Sequence, residues 1–259
     1  MKIIFLNTWA GTRFELLIEF LKTQAPSTDI FCLSEVMSSP EPHESKGGRM
    51  TLYEDLQALA FPGWTKYFAA KQDNFDHAER VDYKITEGLA IFLKPALSVN
   101  SAGDFFILGS RNSLQGIDLL TMPVNLQYVR IPYNGSELTV INFHGLSEPG
   151  DKLDTSERLL QSKKLIEFMQ GEKNAIVGGD FNLLPETESV RSFVRAGFRD
   201  LIKEWKISST RSRSNIEKYS AHPQYFADFA FASPQLKVRN FEVPDLEISD
   251  HLPLIVDLG

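Results

Sequence analysis

Cysteine is nearly absent from this sequence, because Cys32 is the only one among 259 residues. Its scarcity excludes a disulfide framework and a zinc site built from several thiolates. Cys32 lies within the apolar run DIFCLSEV, where a cysteine is typically a small buried hydrophobic side chain. We therefore assign it no chemical role.

Long hydrophobic runs are also missing. No stretch approaches the roughly 18 apolar residues that a membrane helix needs. The first residues, MKIIFLNTWAG, contain only four consecutive apolar side chains before Asn7, which is too few for a secretion signal. We therefore expect a cytoplasmic protein without a membrane span.

Basic residues are in the minority, with 27 Lys and Arg against 34 Asp and Glu and a net charge of −7. This balance argues against strong non-specific binding to a nucleic-acid backbone, which requires a basic surface. It does not argue against a phosphate ester held through a metal ion. Internal repeats, low-complexity tracts and flexible linkers are missing as well, so we expect one domain over residues 1–259.

Apolar stretches bounded by turn residues predict a protein rich in strands. The predicted strands are 2–7, 29–35, 88–94, 104–109, 124–131, 137–144, 174–180, 226–232, 238–243 and 252–258. Helical spacing of apolar residues predicts helices over 14–21, 50–60, 154–171 and 190–194. Strands and helices do not alternate strictly, which favours sheets covered by helices over a parallel barrel.

Three local features refine this pattern. Asp154 precedes Glu157 by three residues, which resembles a capping box at the start of the third helix. Residues 38–49 and 206–218 are polar and predict loops. The second of these carries four basic residues and one acidic residue, so it is either a solvated loop or a contact for an anionic substrate.

Polar side chains stand where apolar strands end. They are Asn7, Glu35, Asn142, His144, Asp180, Asn182, Asp228, Asp250 and His251. Polar groups at the ends of buried strands cost desolvation free energy unless a partner satisfies them. A divalent cation does this for carboxylate and amide oxygens, and such hard ligands suit Mg²⁺ or Mn²⁺.

Taken singly, several of these residues have ordinary explanations. Asn7 is typical of a turn, Glu35 of a strand end, and His144 of a packed histidine. Asp228 is different, because an unpaired carboxylate inside the apolar run FADFAFA is expensive to bury. His251 is available as its partner.

The ordered motifs of this chain resemble those of the endonuclease/exonuclease/phosphatase superfamily, which includes DNase I. The motifs are LNTW (6–9), LSEV (33–36), EGLAIFLK (87–94), INFHG (141–145), GGDFN (178–182), FADFAF (226–231) and ISDHLPLIVDL (248–258). The resemblance implies a four-layer α/β sandwich, in which two mixed sheets pack face to face with helices outside. It also implies a site at the edge where the sheets meet.

The resemblance further implies roles for individual residues. Glu35 is the principal metal carboxylate, and Asn7 and Asp250 lie near the metal or its waters. Asp180 orients or deprotonates the attacking water, and Asn182 holds a phosphoryl oxygen. His251 contacts the phosphate and is oriented by Asp228, while His144 stabilises the phosphate or assists the leaving group. The candidate substrate-binding residues are Asn142 and Arg111. For Arg111, an ordinary surface arginine is an equally good interpretation.

We therefore expect a Mg²⁺-dependent phosphoesterase that hydrolyses a phosphodiester by in-line attack of water. A phosphomonoesterase is the alternative, and a non-catalytic binding module on the same fold is a third interpretation. The expected partner is a phosphate ester, including nucleic acid, without an obligate protein partner. Two positions depart from the family pattern, since many members have an acidic residue in place of Trp9 and a glutamine in place of Ser34.

Overall fold

Strands from both ends of the chain form the centre of the molecule. A computed structural model describes residues 1–43, 48–76 and 79–259. The strands are β1 (Lys2–Asn7), β2 (Ile30–Ser38), β3 (Thr65–Asp73), β4 (Phe75–Asp76), β5 (Glu79–Arg80), β6 (Thr86–Leu93), β7 (Ser101–Leu108), β8 (Val124–Tyr133), β9 (Ser136–His144), β10 (Ala175–Asp180), β11 (Arg199–Asp200), β12 (Asp228–Ala232), β13 (Val238–Glu242) and β14 (Leu254–Leu258).

The helices are fewer and lie between these strands. They are α1 (Phe14–Gln24), α2 (Leu52–Asp55), α3 (Ser156–Gln170), α4 (Glu188–Arg195), α5 (Leu201–Glu204) and α6 (Arg213–Lys218). A π-helical segment (Leu56–Ala60) continues α2, and short 3-10 turns cover Trp9–Gly11, Ala25–Ser27 and Leu119–Thr121. No helix in the described ranges has both the length and the apolar character needed to cross a lipid bilayer.

Two six-stranded mixed sheets pack face to face. The first has the order β13-β14-β1-β2-β6-β3 and the second the order β11-β12-β10-β9-β8-β7, while β4 and β5 form a small separate hairpin. Each large sheet combines one parallel pair, β1 with β2 or β9 with β10, with antiparallel neighbours. This architecture confirms the predicted four-layer α/β sandwich.

Alternation along β1 explains the layers. Ile3 and Phe5 point into the core between the two sheets, whereas Ile4 and Leu6 point outward and pack beneath α1 and the helical segment 52–60. On the far side, buried residues of α3 and α4 cover the second sheet. Because side chains alternate along β1, one face of this strand is buried against the second sheet and the other against the helices.

The sheets approach each other closely where β10 crosses β1. A Cβ atom at Gly178 would lie 2.5 Å from the ring of Phe5, which is closer than any real Cβ contact. Glycine at this position therefore lets the strand that carries Asp180 lie against the strand that carries Asn7.

The structure corrects the expectations for several segments. The sequence prediction lacks the edge strand β3. The residues of this strand, TKYFAAKQD, are mostly half-buried and lack clear alternation. The predicted loop 206–218 contains helix α6, and its residues 210–212 are buried. The predicted loop 38–49 is irregular where it is described after β2, and residues 44–47 lie outside the described residues.

The expected capping role of Asp154 is wrong. Thr155 caps α3 instead, because its side chain accepts the backbone N–H of Arg158. Asp154 accepts the backbone N–H groups of Glu188 and Ser189, at 2.7 and 2.9 Å, and so caps α4. Its carboxylate thus joins the start of one outer helix to the start of the next.

We predict that Gly178→Ala destabilises the fold by roughly 1–3 kcal/mol, because the added methyl group overpacks against Phe5. Thermal and urea unfolding measure this change. The matched control is Gly150→Ala, where the new methyl would meet only Glu148 Oε2 at 3.8 Å. Equal stability of the two variants would contradict the close approach of the sheets.

A second prediction concerns Asp154. Burial acts to raise its pKa, but hydrogen bonds from Ser189 and Glu188 outweigh this effect and lower the pKa. Asp154→Ala should cost about 1 kcal/mol of unfolding free energy at pH 7. The cost of the substitution should shrink as the pH falls below about 3.9 and through the lowered pKa of the folded state. The Asp154 carboxyl is then protonated and no longer accepts these hydrogen bonds as a charged group.

Urea titrations of Asp154→Ala and the unaltered chain from pH 7 to about 2.5 measure this dependence. Asp245→Ala serves as the control, because the ion pair of Asp245 with Arg213 is exposed and should contribute less than about 1 kcal/mol. A cost for Asp154→Ala that grows on acidification would refute the capping role.

Candidate active site

The ends of five strands meet at one edge of the sandwich. In the first sheet, β1 runs parallel to β2, and Asn7 lies beside Ser34. In the second sheet, Asp180 at the end of β10 lies beside His144 of β9 and Asp228 of β12. The topology therefore gathers these polar strand ends around one point.

Glu35 reaches this point from an irregularity in β2. Its φ is +51°, in the left-handed region, and the pairing of β2 with β6 shifts register between Leu33 and Val36. A bulge of this kind re-aims a side chain. The Thr8 hydroxyl donates to the carbonyl oxygens of Ser34 and Glu35, both at 2.9 Å, and so holds the bulge in place.

Asn7 connects the two sheets at the site. Its amide nitrogen donates to Glu35 Oε1 at 2.9 Å and to Asp180 Oδ2 at 3.0 Å. Its amide oxygen accepts the backbone N–H of Trp9 at 2.9 Å, which orients the amide group. In this arrangement Asn7 acts on the site through the two carboxylates that it holds.

Asp180 is a buried carboxylate among cations. Its Oδ2 lies 3.5 Å from His251 Nε2 and 3.8 Å from His144 Nε2. Burial acts to raise the pKa of Asp180, but the charges of His251, His144, Lys152 and Arg211 outweigh this effect and hold the pKa well below its usual range. Asp180 is therefore ionised at neutral pH.

His251 and Asp228 form a buried pair, as the sequence predicts. His251 Nδ1 lies 2.8 Å from Asp228 Oδ2. Burial and the neighbouring Arg211 act to lower the pKa of His251, but the carboxylates of Asp228, Asp250 and Asp180 outweigh them and raise it. The raised pKa favours the protonated imidazole, whose Nδ1 then donates to Asp228 Oδ2.

Arg211 is a site residue that the sequence does not single out. Its Nη1 contacts His251 Nε2, and its Nη2 donates to Asp250 Oδ2 at 2.8 Å. The buried hydroxyl of Thr210 accepts the backbone N–H of Asp228 at 3.1 Å and anchors this segment. Because Asp250 is turned toward Arg211, its carboxylate is placed beside the cluster rather than at its centre. In the sequence, the basic composition of residues 206–218 was the feature that indicated a role for this segment.

Lys152 is the second cation that the sequence does not reveal. Its Nζ donates to Asn182 Oδ1 at 2.7 Å, and Asn182 Nδ2 donates to the Gly145 carbonyl at 3.2 Å. Burial lowers the pKa of Lys152, partly offset by the charge of Asp180. Asn182 also donates its backbone N–H to Asp180 Oδ1 at 2.9 Å. Asn182 is therefore fixed on both sides.

Within the part of the chain that the structure describes, two groups of side chains bring candidate ligand atoms close enough to hold a metal ion. One is Glu35, His144 and Asp180, and the other is Asp180, Asp228 and His251, with ligand atoms within 4.8 Å of one another. Mg²⁺ prefers oxygen ligands and is usually held by one or two carboxylates with several waters. Glu35 and Asp180 provide such a pair, so the donor set fits Mg²⁺ or Mn²⁺.

The structure does not bring two of the expected residues to this cluster. Asn142 lies deeper between the sheets, where its amide donates to the carbonyl oxygens of Leu33 and Ala90 at 2.9 and 3.3 Å. The Arg111 side chain is 52% exposed and pairs with Asp73 at 2.8 Å. Asn142 thus joins the sheets, and Arg111 is a surface arginine; neither takes the expected substrate-binding position.

Sequence and structure comparisons agree with this geometry. A model of the Endonuclease/Exonuclease/phosphatase family matches residues 5–251. The chain belongs to this family. Its members are hydrolases that act on phosphate esters, and the resemblance identified from the motifs is confirmed. The comparison with curated proteins gives no match.

Solved structures resemble the whole chain at low sequence identity. A mannosyl-6-phosphatase of Bacteroides thetaiotaomicron is 17% identical, with a TM-score of 0.71, over 100% of this chain and 99% of its own. A family member from Leptotrichia buccalis is 18% identical, with a TM-score of 0.71 and the same coverage. The human Nocturnin catalytic domain with bound sulfate is 19% identical, with a TM-score of 0.64, over 100% and 93% of the chains. These likenesses establish the fold.

We predict opposite pKa shifts for the two site histidines in the metal-free protein. His251 should titrate above the ordinary value of about 6.5, because three carboxylates surround it, and His144 below it, because burial and Lys71 disfavour its charge. The stabilisation from His251 should therefore be present below pH 6.5 and be lost as the pH rises through its raised pKa.

Nuclear magnetic resonance titration of the imidazole signals measures both values, with His251→Gln and His144→Gln for assignment. His144 titrating above His251 would contradict the arrangement of charges described here.

Proposed function

We propose that residues 1–259 form one catalytic domain that hydrolyses a phosphodiester with the help of Mg²⁺ or Mn²⁺. The observation that carries this proposal is the Asn7 bridge between Glu35 and Asp180. It holds two carboxylates from different sheets beside the His251–Asp228 pair. A metal-assisted hydrolase needs this combination of a cation site, a water-orienting carboxylate and a directed proton donor.

Each residue then has a part in the reaction. Mg²⁺ bound by Glu35 and Asp180 would neutralise charge on the phosphoryl group. Asp180, ionised at neutral pH, orients the attacking water and accepts its proton. His251 keeps its proton and donates to a phosphoryl oxygen, with Asp228 fixing the orientation of the ring. His144 lies beside the carboxylates, where it can assist the leaving oxygen.

Asn182 and the two cations complete the phosphate site. The amide of Asn182, fixed by Lys152 and Gly145, is positioned to hold a phosphoryl oxygen. Lys152 and Arg211 add positive charge where charge develops in the transition state. Asp250 supports this arrangement by holding the Arg211 guanidinium.

Phosphomonoester hydrolysis is the second candidate. Two cations, Lys152 and Arg211, lie next to Asn182 and His251, and a dianionic monoester gains more from them than a monoanionic diester does. A structural neighbour that is a mannosyl-6-phosphatase agrees with this candidate.

We predict metal-dependent turnover of p-nitrophenyl esters. EDTA should abolish activity on bis-p-nitrophenyl phosphate, and added Mg²⁺ or Mn²⁺ should restore it. Asp180→Asn should lower kcat about 10²–10⁴-fold, since a positioned base is lost, while Glu35→Gln should weaken Mg²⁺ binding at least tenfold by calorimetry.

Arg111→Ala is the control for these variants, because its side chain pairs with Asp73 on the surface; it should leave turnover within about twofold. Comparing the turnover of bis-p-nitrophenyl phosphate with that of p-nitrophenyl phosphate separates diester from monoester hydrolysis. DNA, RNA, phosphoinositide and sphingomyelin complete the panel of substrates. Full activity of metal-stripped protein, or of Asp180→Asn, would overturn the proposed mechanism. Absence of turnover of every ester in the panel by the unaltered chain would favour a non-catalytic module.

A further inference from the structure

Two cavities open beside the catalytic cluster, and they differ in size and chemistry. The smaller, of about 110 Å³, lies next to Glu35 and His144 and is lined by apolar side chains, such as Phe75 and Met122, together with Lys71 and Glu87. The larger, of about 430 Å³, lies on the other side and reaches Asn182. Small-molecule sites usually occupy about 300–1,000 Å³, so only the larger one has the volume to hold the organic part of a substrate.

The wall of the larger cavity is polar. Among the residues described as lining it there is no aliphatic side chain. Besides Asn182, Arg211, Asn215 and Gly150, the wall is formed by Ser147, Glu148, Lys152, Tyr219, His222 and Gln224. These side chains offer hydrogen-bond donors, acceptors and an aromatic ring within one space.

Buried hydrogen bonds hold the floor of this cavity. Arg158 is fully buried, and its guanidinium donates to the carbonyl oxygens of Leu153 at 2.7 Å and Ser147 at 3.2 Å. These bonds fix the loop 146–153 that carries Lys152. Across the cavity, the Gln224 amide donates to the Gly150 carbonyl at 2.8 Å. The cavity is therefore pre-formed, which lowers the entropy cost of binding.

We infer that this cavity binds the hydroxyl-bearing alcohol of the substrate, the sugar ring of a sugar phosphate or of a nucleotide. The inference rests on the proposed function, because it places the phosphate at Asn182. Lys152 and Ser147 can donate to sugar oxygens, and Glu148 can accept from sugar hydroxyls. Tyr219, 52% exposed, offers a ring face to the apolar side of a sugar or to a base.

Apolar alcohols fit this wall poorly. An acyl chain or an unsubstituted aryl ring would desolvate the Lys152 and Glu148 charges without replacing their hydrogen bonds, and such burial is costly. A sugar ring keeps those bonds while filling the same volume. The wall therefore selects against diacyl phospholipids and for small polar esters.

Calorimetry on His144→Gln at saturating Mg²⁺ tests this inference, because this variant keeps both metal carboxylates and removes the group proposed to assist the leaving oxygen. The probes are a hexose 6-phosphate, a nucleoside 5′-monophosphate, phenyl phosphate and inorganic phosphate. We expect the hexose or nucleoside ester to bind at least tenfold more tightly than phenyl phosphate. Adding Tyr219→Ala should reduce that advantage roughly threefold to tenfold, which corresponds to the loss of one aromatic contact.

Tyr225→Ala is the matched control, because Tyr225 has similar exposure, 46%, and does not line the cavity; it should preserve the preference. The preferred sugar ester distinguishes a sugar phosphate from a nucleotide. Any one of three results would overturn the inference: phenyl phosphate binds as tightly as both sugar esters, Tyr219→Ala weakens the binding of all probes equally, or no probe binds. Hydrolysis of p-nitrophenyl esters by the unaltered chain separately decides the proposed function.

Discussion

Two carboxylates from different sheets, Glu35 and Asp180, must stay side by side at a buried edge although they repel each other. Asn7 makes this arrangement stable by donating one hydrogen bond to each. The same contact requires β1 and β10 to lie close together, and Gly178 provides the space beside Phe5. The catalytic geometry thus depends on how closely two sheets pack, rather than on any one loop.

Charge balance is the second requirement of the site. The chain as a whole is acidic, yet Lys152, Arg211 and protonated His251 surround Asp180 and hold its pKa low despite burial. Each cation is in turn fixed by a hydrogen-bonding partner: Asp228 orients His251, Asp250 orients Arg211, and Asn182 orients Lys152. These three cations face four carboxylates, those of Glu35, Asp180, Asp228 and Asp250, so a bound divalent cation would be needed to make this edge positive for a phosphate.

Sequence reasoning identified the strands that end at the site, because hydrophobic period and strand-end polarity are local features. It also paired Asp228 with His251, since a carboxylate inside an apolar strand demands a partner. Sequence reasoning failed for Asn142, because an asparagine buried between two sheets and an asparagine at their edge have the same local sequence pattern. Asp154 shows a related limit: the helix that a carboxylate caps is set by packing, and residues 154 and 188 are distant in sequence.

Arg211 and Lys152 mark the other limit of sequence reasoning. A basic residue in a polar segment reads as solvated, and only the bonds of Thr210 to the strand that carries Asp228 show that this segment is buried. Such bonds join distant parts of the chain and leave no periodic signal. Arg211 could therefore be predicted only as part of a basic segment, and Lys152 not at all.

The position of Trp9 gives a physical meaning to the main departure from the family pattern. Trp9 stands where many relatives carry an acidic side chain, so this turn offers no carboxylate to a cation. The backbone N–H of Trp9, which any residue except proline would supply, donates to Asn7 Oδ1 and turns the Asn7 amide nitrogen toward Glu35 and Asp180. The carboxylate oxygens of Glu35 and Asp180 at the cluster centre fit a hard divalent cation, and the positive charges of Lys152 and Arg211 act on the same Asp180 carboxylate.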